Sequence, residues 1–96
     1  MNIRGKIENW IKETLKIEGS FVVEHPTDLK NGDYSTNIAM VFAKKLGKNP
    51  AELASDFGKI LQENKIPEIE KIEIVGGFIN FYLSKKFFGD TINEIN

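Results

Sequence analysis

Cysteine is absent from this 96-residue chain, so neither a disulfide framework nor a thiolate metal site can form. Histidine occurs once, at His25, and a lone imidazole before a proline lacks the partners that a catalytic triad or a metal site needs. No apolar run approaches the roughly 20 residues that span a bilayer. The opening Met1-Asn2-Ile3-Arg4-Gly5-Lys6 leads into a mixed polar helix pattern, not a signal-peptide core. An excess of one charge is missing too, because 13 Lys and Arg face 14 Asp and Glu. A free-standing nucleic-acid binder usually carries a basic stripe, so any RNA contact here rests on few phosphates. A chain of this length buries roughly 60–65% of the surface its unfolded form exposes, enough for one domain. The expected compartment is the cytoplasm, with no membrane partner.

Catalytic signatures are equally sparse. Ser20, Ser35 and Ser84 lack a nucleophile-elbow context. Gly76-Gly77 is a bare pair with no lysine and hydroxyl residue after it, so it is no phosphate loop. Asp28 and Asp33 fall in a turn-rich stretch, where aspartates serve backbone hydrogen bonding. For His25 the expectation is a local hydrogen bond or packing. No residue set for catalysis or for a cofactor emerges.

What is present is a clear alternation of element signals. Ile3, Ile7, Trp10, Ile11 and Leu15 recur at three- and four-residue steps and predict an amphipathic helix, with Gly19 as its cap. Phe21-Val22-Val23 reads as a short buried strand stopped at His25-Pro26. Asn31-Gly32 signals a tight turn, and Gly32–Tyr34 allows a very short second strand. Ile38 to Leu46 predicts a helix apolar around most of its circumference and so deeply buried, capped by Ser35 or Thr36 and closed by Lys44, Lys45 and Gly47. Asn49-Pro50-Ala51-Glu52 starts a third helix with a cap, a first-turn proline and a capping-box glutamate. That helix runs to about Glu63, with Leu53, Ala54, Phe57, Ile60 and Leu61 on one face. Ile72, Ile74 and Val75 mark a strand, Gly76-Gly77 a turn, and Phe78 to Leu83 the returning strand. Ser84 caps a last helix with Phe87, Phe88, Ile92 and Ile95, which reaches Asn96 without a stop signal, as if a longer protein continued. The fold class expected is two-layer α+β, a small antiparallel sheet of three to four strands packed against helices.

The returning strand carries the functional signal. Alternation puts Ile79, Phe81 and Leu83 on one face and Phe78, Asn80 and Tyr82 on the other. The first set is core. The second admits two readings: rings buried under further helices, or rings on an open face where aromatics stack on unpaired bases and an amide reads a base edge. Lys44, Lys45 and Lys48, and Lys85 with Lys86, form two small basic clusters that read either as solvated surface or as phosphate contacts.

His25-Pro26, Asp28, Gly32-Asp33-Tyr34-Ser35-Thr36-Asn37-Ile38-Ala39 and Ala43-Lys44-Lys45-Leu46-Gly47-Lys48-Asn49-Pro50, followed by Gly77-Phe78-Ile79-Asn80-Phe81-Tyr82-Leu83, resemble the N-terminal additional domain of arginyl-tRNA synthetases. The resemblance spans nearly the whole chain. It implies that residues 1–96 are one non-catalytic, monomeric domain of a longer synthetase. Arginine and ATP would bind in a catalytic domain of the same polypeptide, and an anticodon-binding domain would also lie elsewhere. It further implies a tRNA partner met at the D-loop of the elbow, with Phe78 stacking on a base and Asn80 bonding its edge; beside them, the residues' own pattern adds Tyr82 on the same strand face and Lys44, Lys45, Lys48 and Lys85 as candidate RNA contacts. Some relatives carry tyrosine where Phe78 stands, and proline is common near Gly76-Gly77. From a different class, a module that braces a neighbouring domain without touching RNA fits the same composition.

Overall fold

The computed structural model describes residues 2–28 and 31–84. The predicted last helix, with Phe87, Phe88, Ile92 and Ile95, lies outside them, as does Lys85. Three helices and four strands follow in the order α1 (Ile3–Leu15), β1 (Val23–Glu24), β2 (Tyr34–Thr36), α2 (Ile38–Leu46), α3 (Pro50–Glu63), β3 (Ile69–Val75) and β4 (Phe78–Leu83). The strands form one antiparallel sheet in the order β1-β2-β4-β3. The α+β class and the returning strand are thus as expected.

Local chemistry explains each boundary. Asn2 caps α1 by accepting from the Gly5 N–H at 3.2 Å. The helix stops at Lys16 rather than at Gly19, because Lys16 itself adopts the left-handed conformation and its N–H returns to Lys12. Asn49 accepts from the N–H groups of Ala51 and Glu52 at 2.8 and 3.2 Å, and Pro50 fills the first turn of α3. The helix α2 begins at Asn37, without a side-chain cap of its own, while Thr36 Oγ1 accepts from Ile38 N–H at 3.3 Å. Gly47 closes it in the left-handed region. In the β3–β4 turn only Gly76 has a positive φ, +60°, the pattern of a two-residue turn with glycine first.

Three expectations about burial change. The first strand is Val23–Glu24, not Phe21 to Val23, and Val22 faces water. Val22 stays paired all the same: its N–H donates to Asn37 Oδ1 at 2.8 Å, and its carbonyl accepts from Asn37 N–H at 3.4 Å. The second helix is buried only through Ile38, Ala39 and Ala43, with Leu46 exposed, because it packs against the sheet and α3 on one side only. On α3, Ile60 is likewise exposed, and Gly58 joins Leu53, Ala54 and Leu61 in the interior.

The core lies between the helices and one sheet face. Ile79 and Phe81 of β4 are fully buried, and Leu83 nearly so. Trp10 of α1 meets the Phe81 ring edge-on at 5.6 Å and donates its indole N–H to Asn64 O at 2.9 Å, which ties α1 to the end of α3. Before β2, Gly32 has φ +100° and passes so close to β4 that a Cβ would sit 2.8 Å from the Phe81 carbonyl oxygen. Asp33 then donates its N–H to that same carbonyl, and its carboxylate accepts from Leu83 N–H, both at 2.8 Å. The turn aspartate thus serves the backbone, as its setting predicts.

One buried charge sits at the rim. Glu68 pairs with Lys6 across α1 and the start of β3, while its Oε1 is buried without a hydrogen bond among the described residues. Burial pushes its pKa up, but the hydrogen bond and charge of Lys6 and a backbone N–H together bring it below the ordinary 4.5. The carboxylate therefore adds stability above that value and loses it as pH falls through the depressed one.

Two outcomes follow from this packing. Gly32→Ala lowers folding stability by about 1–3 kcal/mol, because the new methyl meets backbone rather than a movable side chain; urea unfolding at neutral pH checks it. Lys6→Met leaves burial of Glu68 unopposed, so the stability lead of the parent chain over this variant shrinks as pH falls from 6 towards 3. Denaturation midpoints across that range give the readout.

Candidate nucleic-acid interface

Residues opposite one another in an antiparallel pair share a face. On the face away from the core the register sets three rows across the sheet. Glu24, Ser35, Asn80 and Glu73 form the middle row, Phe78 and Val75 lie on one side of it, and Tyr82 and Lys71 on the other. Among the described residues no helical side chain lines this face where it opens into a cleft of about 300 Å³. That volume is the small end of the range for ligand pockets.

The cleft has an apolar rim and a polar floor. Val22 and Val75 are each 44% exposed and Phe78 is 45% exposed, so the predicted stacking ring stands in water. Asn80 does not. It is buried at the cleft floor, and its Oδ1 accepts from Ser35 Oγ at 2.7 Å. No partner for its Nδ2 hydrogens is present among the described residues, which leaves donor capacity on a cleft-lining amide. Two acidic residues, Glu24 and Asp28, and the polar His25, Asn31 and Asn37 complete much of the wall. No lysine or arginine is among the described lining residues. Among the described residues this lining suits an uncharged, planar group better than a phosphate.

His25 behaves as the sequence led us to expect. Its Nδ1 lies 2.8 Å from Asp33 O, and its ring stacks on Tyr34 at 4.4 Å, so it stiffens the approach to β2. Tyr82 is half-buried in the row beyond Asn80. Its hydroxyl donates to Glu73 Oε1 at 3.1 Å, and the Lys71 ammonium lies 4.9 Å from its ring centroid. Partial desolvation, then the hydrogen bond and charge of Glu73, raise the phenol above 10.0. Tyr82 is therefore engaged with its neighbours rather than presented like Phe78.

The lysines divide. Lys44, Lys45 and Lys48 are exposed at the end of α2, in the layer behind the sheet, and none lines the cleft. Lys45 sits 5.0 Å from the Phe42 ring centroid. Two residues of the site have roles the sequence reading missed. Ser35 was weighed there as a cap or nucleophile, yet it is the amide's partner. Lys71, on the edge strand, was not singled out. The two-residue alternation of Asp33, Ser35 and Asn37 placed against Phe78 to Leu83 is the signal that would have found Ser35.

A sheet with one face sealed by helices and the other holding an aromatic-rimmed, amide-floored cleft defines a small α+β domain. Residues 1–83 match the family described as the arginyl tRNA synthetase N terminal domain. The chain is 42% identical over 94 residues to the arginine–tRNA ligase of Thermotoga maritima, covering 97% of this chain and 17% of that protein. With that of Staphylococcus carnosus it shares 52% over 73 residues, 75% of this chain and 13% of the relative. The Thermus thermophilus arginyl-tRNA synthetase superimposes with a TM-score of 0.80 at 26% identity, over 94% of this chain and 15% of that one. The Plasmodium falciparum arginyl-tRNA synthetase gives 0.78 at 25% identity, over 94% and 17%. The chain belongs to the arginyl-tRNA synthetase N-terminal domain family, and it spans less than a fifth of the length of these relatives.

The contrast between the two residues is measurable in stability alone. Asn80→Ala strands the buried Ser35 hydroxyl and costs about 1–3 kcal/mol, whereas Phe78→Ala, at an exposed site, stays within about 0.5 kcal/mol. Thermal melts of the two variants against the parent chain separate them.

Proposed function

We propose that the chain is the tRNA-contacting domain of an arginine–tRNA ligase, and that its cleft receives one unpaired base from the D-loop at the tRNA elbow. The observation that carries this reading is the pairing of an exposed Phe78 ring with a half-satisfied Asn80 amide in a cleft free of described lysine and arginine. Phe78 stacks on the base, and Asn80, held by Ser35, offers its N–H hydrogens to an acceptor on the base edge. Arginine and ATP belong to a catalytic domain of the same longer polypeptide, which acts in the cytoplasm as a monomer. Among the described residues no helix is long and apolar enough to cross a membrane.

A second reading has one observation behind it. Leu46 is 57% and Ile60 41% exposed on the helix layer, which suits a face that braces a neighbouring domain. Titration of labelled arginine tRNA against the parent chain and Phe78→Ala separates the two. Loss of a stacked base weakens binding by about 1–3 kcal/mol, roughly five- to 150-fold in Kd. Equal Kd for both chains would falsify base stacking at Phe78 and favour the brace.

A further inference from the structure

We propose that Lys71 on the edge strand is the phosphate-contacting residue of the open sheet face, an inference that rests on the base-binding reading of the cleft. A base enters the cleft attached to a charged backbone, and the cleft wall carries Glu24 and Asp28 but no lysine or arginine among the described residues. Among the described residues, then, a cation for those phosphates lies outside the cleft wall. Across the four strands there is a single basic residue, Lys71. The lysines at the end of α2 lie in the layer behind the sheet.

Lys71 is already aimed. It stands opposite Tyr82 in the register, two rows from Phe78, and same-face rows are about 7 Å apart along a strand. A short stretch of single strand running along β4 passes from the Phe78 ring to the Lys71 ammonium. That ammonium is held on two sides, 3.3 Å from Glu73 Oε2 and 4.9 Å from the Tyr82 ring centroid, yet its side chain is 57% exposed. An exposed ion pair of this kind is worth at most about 1 kcal/mol. Lysine carries three donors, so it can keep Glu73 and take a phosphate oxygen as well. Tyr82, with its hydroxyl bound to Glu73, acts as a positioning residue that steadies the pair rather than as a stacking platform.

The test is the salt dependence of binding. Labelled arginine tRNA is titrated with the 96-residue chain and with Lys71→Gln, Lys71→Arg, Lys45→Gln and Phe78→Ala at several salt concentrations, circular dichroism confirming the fold of each. One phosphate contact of a single strand contributes about −0.7 to the slope of log K against log salt. Lys71→Gln should flatten the slope by that amount, Lys71→Arg should preserve it, and Lys45→Gln should leave it unchanged. Weakened binding by Phe78→Ala with a parental slope for Lys71→Gln overturns the phosphate contact and leaves the base site standing. Parental affinity for every variant, or no binding by the parent chain even at its highest soluble concentration, overturns both.

Discussion

The strand β4 has a neighbour on each side, and every other element is arranged around what its six residues require. Ile79, Phe81 and Leu83 need a dry face, and the three helices supply it, with Trp10 reaching across to the Phe81 ring. The ladder to β2 needs the chain to come close, which Gly32 permits beside the Phe81 carbonyl and Asp33 completes at Leu83. Because side chains alternate strictly along a strand, a register slip by one residue would exchange the two faces. Core packing therefore specifies the opposite face as well. Phe78, Asn80 and Tyr82 are presented away from the helices because Ile79, Phe81 and Leu83 must be inside.

Much of this was legible in the residues. Asn49-Pro50 marks a helix start through orphan N–H groups and a fixed proline φ, both local effects, and α3 begins there. The period-two pattern of β4 likewise reports its own burial. Where the reading went wrong, a partner distant in sequence decided the outcome. The second helix is apolar on most sides, yet only one side meets the sheet, so Leu46 faces water. Val22 looks like a buried strand residue, but Val23 takes the inward position against Thr36, and alternation leaves Val22 on the open face. The sealing of Asn80 was not visible either, since Ser35 lies 45 positions away and is brought against it only by the β2–β4 register.

Burying an amide at the cleft floor changes what it can do. An asparagine in water has its hydrogen bonds satisfied by solvent, and a base must displace that solvent to bind. With Oδ1 already held by Ser35, Asn80 is fixed in place, and the remaining donors lie in a partly dehydrated setting where a hydrogen bond is stronger and an unmet one costlier. Phe78, by contrast, needs exposure, because stacking uses the whole ring face. In the proposed base site the two residues therefore divide along burial: the ring would supply area, and the amide discrimination.

A net charge of −1 then becomes consistent with RNA contact rather than an objection to it. Phosphate contacts drive long-range steering and most non-specific affinity, and a domain with few of them binds feebly alone. In the reading proposed here the chain is one part of a longer polypeptide that grips the same tRNA elsewhere. A second contact on an already bound ligand is intramolecular, with an effective concentration set by the connection rather than by solution. Under that condition a strongly basic face would add mainly indiscriminate attraction to any RNA. A single aromatic ring, one fixed amide and few cations add less affinity, and more of what they add depends on which base stands there.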